Sequence, residues 1–239
     1  ETIIASFSLY YRNLEQPNFE RHEQEPLEFP FFTSELLPNV NVSFPPKASL
    51  NGQEYNIAPY NREVYALTPL KKGKYQLGVA KFSVEGNPLS YFSPVVKESL
   101  KKTVEVLDLP SPKPNDFSGE VGNYKVKLSI DTKNVTVGNP VFFSVQISGE
   151  GTGVLFKDPL REFCKDNSCK AEITYIDESK TKKFAKLKNG EYGFESENIF
   201  KYSLYPKEQG KISLGDIAVV FFNPDTAKYE TSAVSFPEI

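Results

Sequence analysis

The sequence contains no methionine and no tryptophan, a single histidine and two cysteines in 239 residues. Hydrolases of the familiar kind need a nucleophile beside a histidine base, and one histidine leaves little room for such a pair. That residue, His22, sits in the polar run Arg21-His22-Glu23-Gln24-Glu25 and reads as a solvated loop residue. No apolar run approaches the roughly 18–20 residues of a membrane helix, and no basic-then-apolar signal segment opens the chain. Glu1 opens directly onto an apolar alternation, so the chain is expected to be a piece of a longer precursor. Lysine and arginine (28) nearly balance aspartate and glutamate (31), for a net charge of −3. With no long basic block to neutralise phosphates, nucleic acid is not an expected partner.

Aromatic residues are plentiful: 19 Phe and 13 Tyr lie in a chain that is 39% hydrophobic, enough for two modest cores. The length favours two domains of ordinary size. Thr2–Tyr11 and Lys125–Ile130 alternate or cluster β-formers over strand-like lengths. Val64–Leu67, Gly73–Leu77, Ala80–Val84, Thr103–Leu107, Val141–Ile147, Ala171–Ile176, Phe200–Leu204 and Ile217–Phe222 are further strand candidates, each bounded by Gly, Pro, Asn or Asp. Short, punctuated strands of this kind indicate β-sandwiches. Asn223-Pro224-Asp225 marks a hairpin turn before Tyr229–Phe236. Between Pro94 and Leu107, apolar residues also recur at helical spacing, and a short helix is the alternative to a strand there.

Leu109-Pro110-Ser111-Pro112-Lys113-Pro114-Asn115-Asp116 has prolines at alternate positions and reads as a stiff linker. The expected architecture is all-β: two tandem immunoglobulin-like antiparallel β-sandwich domains, 1–109 and 117–239, joined by a Pro-rich linker at 110–116. An internal repeat supports it. Tyr65, Leu67, Pro69, Gly73, Lys74, Leu77 and Gly78 recur without a gap as Tyr202, Leu204, Pro206, Gly210, Lys211, Leu214 and Gly215. The pattern describes a strand ended by Pro, a turn closed by Gly, and a next strand whose Leu enters the core before a second Gly. Glu1–Tyr11 aligns with Asn139–Gly149, so the first copy is expected to lack the opening strand that Val121–Gly138 supplies in the second. Its neighbouring sheet edge should then be open to pairing with another chain.

Asp116-Phe117-Ser118-Gly119-Glu120-Val121-Gly122-Asn123-Tyr124, then Val137-Gly138-Asn139-Pro140-Val141 and Ile147-Ser148-Gly149-Glu150-Gly151, resemble the BatD oxygen-tolerance family in order and spacing. The repeated Pro-x-x-x-Gly-Lys-x-x-Leu-Gly unit resembles it too, as does Asn51–Tyr55 leading to Arg62 and Tyr65, so the resemblance spans nearly the whole chain. Phe19–Pro46 and the cysteine loop depart from it. The resemblance implies a protein secreted through a signal peptide, held by a C-terminal transmembrane helix, with immunoglobulin-like domains on the periplasmic side of the bacterial inner membrane. It implies partners as well: von Willebrand A-domain proteins and a MoxR-type ATPase system, within an aerotolerance or stress-response complex. No catalytic residues and no cofactor come with it.

The remaining candidates for chemistry are few. Cys164 and Cys169 lie close enough for a disulfide across a turn in an oxidising compartment; two free thiols are the other reading, and a zinc site is poorer for want of ligands. Gly149–Gly153 has the glycine density of a phosphate loop but lacks its Gly-Lys-Ser/Thr ending, and reads as a flexible turn. Glu195 and Glu197 stand at alternate strand positions, as solvated carboxylates do. Asp158, Asp166 and Asn167 do not follow the EF-hand pattern. Lys180–Lys183 and Lys71-Lys72 read as exposed hairpin turns, with lipid headgroups or an acidic partner as the sharper reading. The expected function is non-catalytic: a partner-binding scaffold, with Tyr10, Tyr11 and Phe92 as possible contact residues. A carbohydrate-binding or adhesive surface module is the alternative.

Overall fold

The computed structural model describes residues 1–12, 17–22, 27–38, 40–85, 95–161, 163 and 170–239. Among these residues there are sixteen strands and no helix. They fall into two compact units, Thr2–Asp108 and Leu109–Ile239.

In the first unit, β1 (Ile3–Tyr11) and β3 (Phe32–Leu36) flank β5 (Gln53–Pro69), and β4 (Lys47–Leu50) pairs with the N-terminal end of β5. A second sheet orders β2 (Phe19–Arg21), β7 (Lys81–Val84) and β8 (Val95–Glu98), and β6 (Gly73–Leu77) pairs with β9 (Lys102–Val106). All these pairings are antiparallel. Alternation selects the buried side: Ile3, Ala5, Phe7 and Leu9 of β1 all turn to the core. One apolar cluster is built on Phe19, Tyr60 and Phe82, whose rings meet at 5.1–5.6 Å. Another is built on Phe29, Phe32, Tyr65 and the fully buried Leu67.

In the second unit, β11 (Asn123–Ile130), β12 (Val141–Glu150), β14 (Tyr192–Pro206) and β13 (Ala171–Lys186) form one antiparallel sheet in that order. The facing sheet orders β10 (Phe117–Val121), β15 (Asp216–Asn223) and β16 (Lys228–Ser235), with β10 parallel to β15. Val126, Val145, Ile147 and Phe200 from one sheet share a core with Ile217, Val219 and Phe221 from the other. Phe143 stacks on Tyr202 at 5.0 Å and meets Phe236 edge-on. The Ser232 hydroxyl accepts the Val126 amide at 3.0 Å, tying the sheets by a hydrogen bond as well as by packing. The expected hairpin is present: Asn223 Oδ1 accepts the Asp225 amide, and Asn223 faces Lys228 across the turn.

Several expectations need correcting. The strands expected at Val64–Leu67, Ala171–Ile176 and Phe200–Leu204 are the ends of β5, β13 and β14, which run to 17, 16 and 15 residues. Pro59 does not interrupt β5, because it lies between the ladders of β4 and β3, where no strand on that side needs its missing N–H. Lys180–Lys183 are not a hairpin turn but the middle of β13, held opposite Asn198–Glu195 of β14. No helix forms between Pro94 and Leu107; β8 and β9 occupy that stretch. The repeat holds where its first strand ends at Pro69 and Pro206, but its second strand differs. Gly73–Leu77 ladder with β9, whereas Lys211–Leu214 form no strand and Ile212 instead exchanges two backbone hydrogen bonds with Ile239. Leu214 is nonetheless buried, as the repeat requires. Pro110, in the segment expected as a linker, accepts the Tyr229 hydroxyl at 2.8 Å within the second unit.

Candidate functional site

The residues singled out around Phe117–Gly122 converge on a buried polar knot in the second unit. Phe117 and Val121 pair with Val220 and Phe222 of β15, which leaves Glu120 pointing inward, 2% exposed. A carboxylate at such depth demands donors. Glu120 receives the Tyr124 hydroxyl at 3.0 Å, the Thr152 hydroxyl at 3.4 Å and the Leu155 amide. Tyr124 Oη in turn accepts the Gly153 amide at 3.2 Å, and Asn198 donates to the Gly153 carbonyl at 2.6 Å. Burial first, then the Glu120 charge, pushes the Tyr124 phenol well above its ordinary range, so it stays protonated and donating.

The glycines of this region are dictated by close approach. At Gly122, with φ +156°, a Cβ would lie 2.2 Å from the Glu150 carbonyl oxygen; at Gly151, 2.0 Å from Tyr124 Oη. Gly149–Gly153 is therefore not the flexible turn expected. Gly151 donates to the Phe194 carbonyl at 2.7 Å, and Tyr124 and Asn198 hold Gly153 from both sides. The knot is structural in its chemistry: it fixes the β12 exit against the opposite sheet and presents no vacant acid or base.

The other candidates are placed as follows. Gly73 and Gly210 take positive φ at the turns after Pro69 and Pro206; Gly215 has φ +71°, whereas Gly78 needs no such conformation. His22 is exposed and shares a 2.8 Å hydrogen bond with the Ser83 hydroxyl. Glu195 pairs with Lys183 at 2.9 Å and Glu197 accepts from the Gln146 amide, so neither stands free as an acid-base pair. Asp158 accepts the Tyr202 hydroxyl at 2.6 Å and the Leu160 amide at 2.9 Å, caught in the turn rather than offered to a cation. Lys72 pairs with Asp108 at 3.1 Å in an exposed turn. Tyr10 is exposed and Tyr11 half-buried. Cys164, Cys169, Asp166, Asn167 and Phe92 lie outside the described residues. No group of three or more metal-ligating side chains occurs among the described residues, and no helix among them is long and apolar enough to cross a membrane.

Sequence reasoning missed a second buried cluster, in the first unit. Glu63 accepts both Arg21 Nη1 at 2.8 Å and the Tyr65 hydroxyl at 3.0 Å. Burial, reinforced by Glu63, pushes the Tyr65 phenol up to about 12. Arg21 and Glu63 lie far apart in sequence, and nothing in the local pattern of either pairs them.

The family model BatD, described as a BatD DUF11 like domain, matches residues 128–236. The second unit is therefore similar to the BatD family over residues 128–236. The matched stretch contains β12–β16, the loop at Gly149–Gly153 and the second copy of the repeat, within the second unit. Phe117, Gly119, Val121 and Gly122, and the whole first copy, lie ahead of the match, so the BatD assignment rests on the second unit. No curated protein and no solved structure matches the chain.

Proposed function

We propose that this chain is the non-catalytic periplasmic portion of a membrane-anchored BatD protein, acting as a protein–protein interaction scaffold in an aerotolerance or stress-response complex. The observation that carries the reading is the BatD match over residues 128–236. The state of the carboxylates supports it: Glu120, Asp158, Glu195 and Glu197 are each engaged by donors within the fold, leaving stacked sheets and exposed strand edges as the features available for contact. Each unit is read as an immunoglobulin-like sandwich, with the Pro-rich segment as a linker. The partners follow from the family: von Willebrand A-domain proteins and the MoxR-type ATPase system.

The test is affinity capture of the full-length protein from its own cells, with a variant lacking residues 1–239 as control. The reading predicts von Willebrand A-domain or ATPase proteins only when these residues are present. Identical recovery with the control overturns it, and retention on cell-wall glycan moves the assignment to a carbohydrate-binding module.

A further inference from the structure

The two copies of the repeat share one turn, position by position. In the first unit Phe32 pairs with Pro69, and the Leu70 amide donates to the Phe31 carbonyl at 2.9 Å. In the second, Ala171 pairs with Pro206, and the Lys207 amide donates to the Lys170 carbonyl at 2.9 Å. Phe31 therefore stands where Lys170 does, and Leu70 where Lys207 does. The second copy fills both positions with lysines, which reach Glu208 at 3.7 Å and Glu172 at 3.9 Å, so the turn itself calls for no apolar side chain.

In the first copy, nevertheless, Phe31 is 56% and Leu70 67% exposed, and Leu107, just past the Gly73↔Val106 end of the β6–β9 ladder, is 76% exposed. Phe29 and Phe32 on either side of this turn are buried. Phe31 is held at φ 67°, a left-handed conformation that is costly for a bulky side chain. Its ring stacks on Tyr75 at 5.1 Å, and the Tyr75 hydroxyl is anchored by the Lys71 and Lys72 carbonyls at 2.9 and 3.0 Å. The fold accepts backbone strain and holds the ring outward. Charge separates the copies as well: Leu70-Lys71-Lys72-Gly73-Lys74 carries three lysines and no acid, against Lys207-Glu208-Gln209-Gly210-Lys211. Lys72 reaches Asp108 at 3.1 Å and Lys74 reaches Glu105 at 3.5 Å, but all four side chains are more than half exposed, so both pairs are weak in water.

We propose that this tip of the first unit inserts Phe31, Leu70 and Leu107 into the surface of a phospholipid bilayer, with Lys71, Lys72 and Lys74 held by anionic headgroups. The proposal rests on the membrane-anchored reading for its biological setting. The three apolar side chains project from separate loops and line no groove. A bilayer accepts such side chains singly, without the shape complementarity that a protein contact requires. Lysine stems lie along apolar surface while their charges stay at headgroup level, where anionic lipid attracts them.

The chain has no tryptophan, so Leu70→Trp supplies a single reporter and Lys207→Trp its match in the second copy. The experiment mixes each 239-residue variant with vesicles of phosphatidylcholine, alone or with an equal part of phosphatidylglycerol. The expected result is a blue shift of the Leu70→Trp emission on phosphatidylglycerol vesicles, quenched by brominated acyl chains, and no shift for Lys207→Trp. Phe31→Asn, which suits the left-handed backbone, should leave the unfolding temperature no lower and weaken vesicle binding by about tenfold. Lys71→Gln with Lys72→Gln should weaken binding to the anionic vesicles by about tenfold or more. Emission unshifted at millimolar lipid overturns the proposal. So do an equal shift on phosphatidylcholine alone, an equal shift at Lys207→Trp, and a Leu70→Trp emission already blue-shifted before lipid is added, which would mean that protein covers the tip. If lipid binding fails while affinity capture still recovers its partners, the tip falls and the scaffold reading stands; insertion without captured partners keeps the tip and removes the scaffold.

Discussion

At the scale of single residues, the second unit is governed by how closely backbone and ring approach one another. Gly122 illustrates this: its φ of +156° and the Glu150 carbonyl 2.2 Å from any added Cβ leave no accommodation that spares the backbone. Gly122→Ala should cost about 3 kcal/mol or more, at the upper end of overpacking effects. Gly190, with φ +87° but nothing within 4 Å of an added Cβ, isolates the conformational term alone. Gly190→Ala should cost about 1 kcal/mol. Urea unfolding of both variants measures the difference; equal losses would show that φ and not contact governs Gly122.

At the scale of elements, strand tyrosines donate to carboxylates that the fold holds in place. Tyr65 on β5 reaches Glu63, and Tyr124 on β11 reaches Glu120. Both phenols are held above the ordinary value of 10, Tyr65 at about 12, so the folded chain keeps protons that the unfolded chain releases. Their stabilising contribution is fully present below pH 10, where both states are protonated, and is lost as pH rises above it. For Tyr65 the loss runs from pH 10 to about 12. Unfolding free energy measured across that window should fall, and Tyr65→Phe and Tyr124→Phe should each flatten the slope while lowering stability at pH 7. A slope unchanged in both variants would remove the tyrosines as its cause.

At the scale of the molecule, the two units differ in how they are completed. The second closes a core with residues from both its sheets, including the fully buried Val141, Val145, Phe200, Leu204 and Ile217. The first has smaller clusters and an edge strand, β1, without a partner on one side among the described residues. Calorimetry should resolve more than one transition, the first unit melting at the lower temperature. Leu67→Ala should shift the lower transition and Leu204→Ala the upper, each by the 2–5 kcal/mol or so typical of buried leucines. A single transition moved equally by both substitutions would mean that the units unfold as one.

The all-β class, the Asn223 hairpin and the repeat ending at Pro69 and Pro206 were legible in the sequence, because alternation, turn residues and ordered glycines are local signals carried within a few residues. The sequence did not determine the length of β13, since Thr181, Lys182 and Lys183 have no apolar periodicity and are held in a strand only by Glu197, Ser196 and Glu195 across the ladder. Nor could it distinguish a pinned Gly149–Gly153 from a loose one, or join Arg21 to Glu63. Those outcomes depend on which distant groups arrive at hydrogen-bonding distance, and only the tertiary structure brings them together.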